Sequence, residues 1–227
     1  GGEFITHYMN WSQREVAVLF GDACGAVVIE ASESETGMIA SRIGCESDAK
    51  YAIQITNVGS GYSRLTDDFL YNAWNFEGQE VFKRAVKAMA QASADVLDQA
   101  GMSLEDIKLV VPHQANKRIL DALAKRIGIS EDKVFVNVHK YGNTSAGTIP
   151  VALAEALEEG RIKPEDHILM ASFGAGLTYG AGLIKWSKRV TPLTTSDAEL
   201  PPCEKTGLEI IASHVDRYKK HSLESVS

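Results

Sequence analysis

The stretch Ile107-Lys-Leu-Val-Val-Pro-His-Gln-Ala-Asn-Lys-Arg-Ile-Leu-Asp-Ala-Leu-Ala-Lys-Arg-Ile-Gly128 holds one strand-to-helix unit and decides how the rest is read. Ile107 to Val111 is an apolar run of strand length, which reads as a buried strand, and Pro112, having no N–H for a ladder bond, stops it. Ala115 to Ile127 changes to helical spacing, and Gly128 stands where a helix C-cap is expected. His113 therefore follows a strand and precedes a helix, at the sheet end where open α/β sheets bind ligands.

The same alternation continues on both sides. Upstream, Glu77 to Ala100 places Val81, Val86, Met89, Ala90, Val96 and Leu97 near helical spacing before Gly101, so a helix is expected. Ser103-Leu-Glu-Asp reads as a short helical turn. Downstream, Val134 to Val138 reads as a short strand, Ala146 to Glu158 as a helix ended by Gly160, and His167 to Phe173 and Leu177 to Trp186 as strands joined by Gly174-Ala175-Gly176. Val16 to Ala31 is β-branched and broken by Gly21 and Gly25, which predicts two strand segments around a glycine turn, with Gly37 to Ile43 as the next strand of a hairpin. Cys45 to Asn75, rich in Gly, Ser, Asp, Asn and Tyr, is expected to be a long functional loop. The element order is that of an α/β protein with a mostly parallel sheet flanked by helices. Lys188 to Lys205 carries Pro192, Pro201 and Pro202 and reads as a linker, with one amphipathic helix expected over Leu208 to Tyr218.

Composition removes several function classes. A chain of 227 residues, 44% hydrophobic, can bury a real core. Its net charge of −7 opposes phosphate neutralisation, so no nucleic acid is expected as a partner. Val16 to Phe20 and Ala26 to Ile29 fall far short of the roughly 20 apolar residues of a membrane span, so no membrane association is expected. The N-terminal Gly-Gly-Glu-Phe-Ile-Thr has no signal-peptide character and reads as a fragment boundary. Cys24, Cys45 and Cys203 match neither a disulfide framework nor a metal spacing, which points to a reducing cytoplasm and no metal. The pairs Lys83/Arg84, Lys117/Arg118 and Lys125/Arg126 suit either a small acidic partner or ordinary solvated helix faces.

A second unit of chemical interest is Lys140-Tyr-Gly-Asn-Thr-Ser-Ala-Gly-Thr-Ile-Pro150, which places Asn143 between the short strand and the next helix. Taken singly, His113 could be a structural histidine and Asn143 a helix cap, a task open to Thr144 or Ser145 as well. Two polar side chains offered from neighbouring strand ends favour a shared pocket. Gln114 and Asn116 add polar groups near a helix N-terminus, where anions are stabilised.

His113-Gln-Ala-Asn-Lys-Arg-Ile, followed by Gly142-Asn-Thr-Ser-Ala, resembles the type III β-ketoacyl-(acyl carrier protein) synthases of bacterial fatty acid synthesis. Leu19-Phe-Gly-Asp and Phe173-Gly-Ala-Gly-Leu-Thr-Tyr-Gly match as well, so the resemblance runs from about residue 15 to 187 and leaves the tail after Trp186 outside. It implies an α/β, thiolase-like half with a mixed, mostly parallel sheet layered with helices. Residues 1–187 would be the C-terminal half, and 188–227 a linker and extension.

The implied site is a Cys-His-Asn constellation in which His113 and Asn143 stabilise the enolate left when malonyl-(acyl carrier protein) loses CO2. Ala115 and Asn116 match positions lining the pantetheine tunnel, Arg118 matches an arginine that contacts acyl carrier protein, and Phe173 lies where the family closes its site. The nucleophilic cysteine is expected on an N-terminal half, either cleaved from the same polypeptide or a separate subunit. Cys24 aligns instead with the family's structural Phe-Gly-Asp turn, where Ala23 replaces a glycine at a cost of roughly 1 kcal/mol if φ is positive. Cys45 and Cys203 read as incidental. Acyl-CoA is implied as substrate, acyl carrier protein as partner and a homodimer as the full enzyme, with no cofactor. Chain alone, a large apolar face should stand bare. The rival readings are an acyltransferase to oxygen or nitrogen and a non-catalytic partner subunit.

Overall fold

The computed structural model describes residues 1–227 apart from 10, 12, 56–73, 195, 200, 213, 214 and 217–227. Its centre is a four-stranded sheet of β3 (Gly37–Cys45), β6 (Leu109–Pro112), β7 (His167–Gly174) and β8 (Thr178–Lys185), in the order β3-β8-β7-β6. β6 and β7 pair in parallel, whereas β7–β8 and β8–β3 are antiparallel. The sheet is thus mixed, as expected, but antiparallel pairing dominates it. The reason is local: Gly174-Ala175-Gly176 is too short for a crossover, and such a link returns the chain antiparallel.

Alternation along the strands sorts two cores. Val110 of β6, Leu169 of β7, Ala181 and Leu183 of β8 and Ala40 of β3 pack against Ala92, Val96 and Leu97 of α2 (Gly78–Ala100). Leu109, Val111 and Ile168 point the other way, onto Ala152, Leu153 and Ala156 of α5 (Thr148–Glu158). Each valine, leucine or isoleucine among them, taken fully out of water, contributes roughly 1.5–3 kcal/mol, and each alanine less. A third helix, α3 (Lys117–Ile127), lies beside α2, with Ile119 and Leu123 meeting Ala85 and Met89. Both long helices end as their sequences predict, on Gly101 and Gly128 in the left-handed region.

Three sequence expectations are corrected. Val16 to Ala31 does not form two paired strands. Its start lies in the short helix α1 (Arg14–Ala17), and its only strand is β2 (Ala23–Cys24), paired with β1 (Gly2–Glu3). β3 accordingly finds its partner in β8 and not in a preceding hairpin strand. Ala23 lies in extended β2 and outside the positive-φ residues, so its replacement of glycine carries no strain.

Val134 to Val138 contributes a single parallel bridge, Val110↔Val134, after which the chain turns into α4 (Val138–Tyr141). The expected loop over 45–75 holds a short antiparallel pair, β4 (Ile53–Ile55) with β5 (Trp74–Phe76), and the remainder of that expectation, 56–73, falls outside the described residues. Cys45 closes β3, so it is not in an irregular stretch. In the tail, residues 207–212 and 215–216 are helical, while the end of the expected helix lies outside the described residues.

Arg84 shows what becomes of one basic pair. Its guanidinium meets Glu46 at 2.7 Å, Asp48 at 2.9 Å and Glu80 at 2.6 Å, which ties the chain after β3 to α2. It is an internal clamp and leaves nothing for an acidic partner. Among the described residues, no helix is long and apolar enough to cross a membrane.

Candidate active site

His113 is fixed at two points. Its backbone N–H donates to Ala171 O at 2.7 Å, continuing the β6–β7 pairing one residue past Pro112. Pro112 therefore belongs to the strand, and the ring leaves the sheet directly after it. Imidazole Nδ1 lies 2.6 Å from the hydroxyl of Thr148, in the first turn of α5. Burial lowers the imidazole pKa from 6.5 to about 4, so the ring is neutral at pH 7.

The sign of that shift gives a stability prediction. A folded value below the unfolded one means that the unfolded chain takes up the proton first. The stability tied to the neutral ring is complete above about pH 6.5 and declines as pH falls through 4, by at most ~3 kcal/mol. Urea midpoints measured at about pH 7 and about pH 4.5 should therefore fall less for His113→Gln than for the parent.

Asn143 comes from a different direction. No strand of its own carries it, since Phe20 and Asn143 form an isolated parallel bridge. Asn143 N donates to Leu19 O at 2.8 Å and Gly21 N donates to Asn143 O at 3.0 Å. Gly21 is required for this approach, because a Cβ there would lie 2.1 Å from Tyr141 O. Asp22, next along, accepts from the Thr6 backbone N–H at 2.8 Å and from the Thr6 hydroxyl, so the Phe-Gly-Asp segment is anchored at its far end too. Within the loop, Asn143 Oδ1 accepts from Ser145 N at 2.9 Å, holding Ser145 at a φ of 51°. That leaves the Nδ2 amide as the free end of the side chain.

Both residues line one cavity of about 520 Å³, together with the predicted Ala115, Asn116 and Phe173. Its remaining wall is largely apolar, including Phe20, Met89 and Ile119. Asn116 is also the N-cap of α3, its Oδ1 accepting from Ile119 N at 3.0 Å. Arg118 does not line this cavity. It is exposed and borders an adjoining groove of about 360 Å³ that shares Asn116, Ile119, Leu19, Phe76 and Val81 with it. Lys117 beside it is paired with Asp121, whereas Arg118 has no ion-pair partner among the described residues.

Gln114 departs from the anion-favouring role expected of it. It is 1% exposed and faces away from the cavity. Nε2 donates to Pro112 O at 2.9 Å and Phe135 O at 3.1 Å, while Oε1 accepts from Asn137 N at 2.9 Å and Val138 N at 3.2 Å. Every hydrogen-bonding capacity of the amide is thereby engaged. Thr148, which no local motif singles out, is the residue that the sequence reading missed. Of the cysteines, Cys24, Cys45 and Cys203 are exposed and none lines the cavity. Among the described residues no three His, Cys, Asp or Glu side chains form a metal-holding group.

The architecture is that of the solved 3-oxoacyl-(acyl carrier protein) synthases III. The Aquifex aeolicus structure matches with a TM-score of 0.72 at 38% identity over 82% of this chain and 56% of that one. The Thermus thermophilus structure matches at 0.73 and 40%, over 83% and 58%. Residues 97–186 match the family model of the 3-oxoacyl-[acyl-carrier-protein] synthase III C terminal, and residues 1–47 match that of 3-oxoacyl-[acyl-carrier-protein] synthase III.

The chain belongs to the type III β-ketoacyl-(acyl carrier protein) synthase family of the thiolase superfamily. The match over 1–47 means that it reaches beyond the C-terminal domain, which corrects the reading of a C-terminal half alone. A "Beta-ketoacyl-[acyl-carrier-protein] synthase III 2" of Vibrio cholerae is 47% identical over 224 residues, 99% of this chain and 62% of that protein. That relative therefore shares the tail after Trp186, which the sequence reading left outside the resemblance. The chain spans about three fifths of the length of the curated relatives it matches.

Proposed function

We propose that this chain supplies the histidine and asparagine of a synthase III that condenses an acyl group, drawn from acyl-CoA, with malonyl-(acyl carrier protein). The observation that carries the reading is the presence of His113 and Asn143 on one cavity, each with its other polar atom already engaged. A cysteine thiolate elsewhere in the assembled enzyme attacks the acyl-CoA carbonyl, forming a thioester and releasing CoA thiolate. Malonyl then loses CO2, the electron pair of the breaking C–C bond passing into an enolate. The enolate carbon attacks the acyl thioester, a new C–C bond forms and the cysteine thiolate leaves. The His113 and Asn143 N–H groups donate to the enolate oxygen, where charge develops and where donors already in place act most strongly. A neutral ring suits this, because no proton need change hands.

In the same reading Ala115, Asn116 and Phe173 border the path of the pantetheine arm, and Arg118 meets acyl carrier protein at its mouth. Arg118→Glu should lower kcat/KM for malonyl-(acyl carrier protein) about tenfold, with the loss shrinking at high salt, while acyl transfer from CoA stays near the parent value. Equal losses with both substrates would place Arg118 in the common tunnel.

The apolar run Val27-Val28-Ile29, of which Val28 is 98% and Ile29 89% exposed, is taken as the face on which the remainder of the synthase packs. A homodimer in a cytoplasmic setting completes the proposal. The reading is tested by CO2 release: the assembled enzyme should release it from malonyl-(acyl carrier protein) in proportion to 3-oxoacyl product. Acyl transfer to an oxygen or nitrogen acceptor without CO2 would replace condensation by simple acyltransfer.

A further inference from the structure

Asn143 follows the end of α4, and one carboxylate grips that short helix from outside. Glu155 of α5 accepts from Asn137 Nδ2 at 2.8 Å through Oε2, while its Oε1 accepts from Lys140 Nζ and from the Tyr141 hydroxyl at 3.5 Å. We propose that Glu155 is a positioning residue for the condensation: by clamping Asn137, Lys140 and Tyr141 it sets where α4 ends, and so where the Asn143 amide is held. The assignment rests on the reading of Asn143 as a donor to the enolate.

α5 suits the task because it meets the Asn143 loop from both sides. Two turns before Glu155, on the same helix face, Thr148 Oγ1 donates to Ser145 O at 3.0 Å and lies 2.6 Å from His113 Nδ1. Glu155 therefore holds the chain ahead of Asn143 and Thr148 the chain behind it. α5 is itself seated on the sheet through Ala152, Leu153 and Ala156, so one packed element is the reference for both His113 and Asn143.

A shift of α4 has little room to be absorbed. Gly21 passes so near Tyr141 O that a Cβ on it would lie 2.1 Å away, and Phe20 beside it is bridged to Asn143. Movement of Tyr141 is therefore passed to that segment or to Asn143 itself. The clamp is also shielded: the Glu155 side chain is 13% exposed and Asn137 2%. Burial raises the Glu155 pKa, but the hydrogen bonds from Lys140 and Asn137 outweigh it, so the carboxyl is ionised at pH 7. Gln114 separately holds the Asn137 backbone N–H, so removing the carboxylate should displace α4 without releasing the whole segment.

The test is a double-mutant cycle in the assembled synthase, read by CO2 release from malonyl-(acyl carrier protein) and by acyl-enzyme mass. Glu155→Ala should lower kcat for decarboxylation ~10–100-fold, the scale of a misplacement near 1 Å, with KM and acyl-enzyme formation little changed. In the Asn143→Ala background the same substitution should cost less than about twofold in kcat, because the group it positions is gone. The urea midpoint should fall equally in both backgrounds, which separates positioning from a merely structural role.

Rate losses of equal factor in both backgrounds, or in neither, would overturn the proposal. Should the alanine variant fail to fold, Glu155→Gln goes through the same cycle. It keeps an acceptor for Asn137 but loses the charge facing Lys140, and the same pattern is expected at roughly 3–10-fold. Asn143→Ala that decarboxylates at the parent rate would instead defeat the donor reading beneath it, a result visible without reference to Glu155.

Discussion

Malonyl decarboxylation by the assembled synthase is expected to fall ~10²–10³-fold on replacing either His113 or Asn143 with alanine, while the acyl-enzyme still forms from acyl-CoA. The magnitude is that of removing one preorganised donor from a developing oxyanion. The selectivity follows from position, since both side chains border the same cavity and neither is a nucleophile. The double variant should lose less than the product of the two single effects, because donors to one oxygen act as a unit. Parallel measurement of acyl-enzyme by intact mass and of CO2 by trapping separates the two half-reactions. Variants that decarboxylate at the parent rate would leave His113 a structural residue and Asn143 only the residue that holds Ser145.

The second large effect concerns stability. Gln114→Leu should lower the folding free energy by about 3–5 kcal/mol, read as a fall in the urea midpoint, because it orphans buried backbone groups on three segments. Pro112 O and Phe135 O lose their donor, and the N–H groups of Asn137 and Val138 lose their acceptor. No apolar side chain of that size can offer replacements. A variant within ~0.5 kcal/mol of the parent would mean that water or a loop shift re-satisfies those groups.

The legible and illegible parts of this chain divide along a physical line. α2 and α3 could be read because their periodicity and terminal glycines are local properties, fixed by residues within a few turns. The strand at 134–138 could not, because what ends it is distant. Gln114 Oε1 takes the amides of Asn137 and Val138 and so starts α4. Val16 to Ala31 failed for the opposite reason. Its β-branched composition suits strands, but strands need neighbours to supply ladder bonds, and here Gly2 and Glu3 pair with Cys24 and Ala23 while Asn143 gives Phe20 an isolated bridge.

His113 and Asn143 stand out in the sequence because each lies between recognisable elements and their motifs resemble a family's, and the fold brings both to one cavity. Gln114 was misjudged because adjacency in sequence says nothing about side. Consecutive residues His113 and Gln114 face the cavity and the protein interior respectively. Thr148 carried no signal beyond lying five residues after Asn143, and only the folded distance to Nδ1 gives it meaning.

The bridge between Phe20 and Asn143 has a consequence for how activity is acquired. It joins positions more than a hundred residues apart, so its loop must close late, after the local helices and the β7–β8 turn have formed. A partly folded molecule can therefore possess the sheet, the helices and a seated imidazole, yet have the Asn143 amide unplaced. Recovery of decarboxylation after dilution from denaturant should lag recovery of far-ultraviolet dichroism, and the interval between them measures the docking of residues 19–21 onto the loop of Asn143.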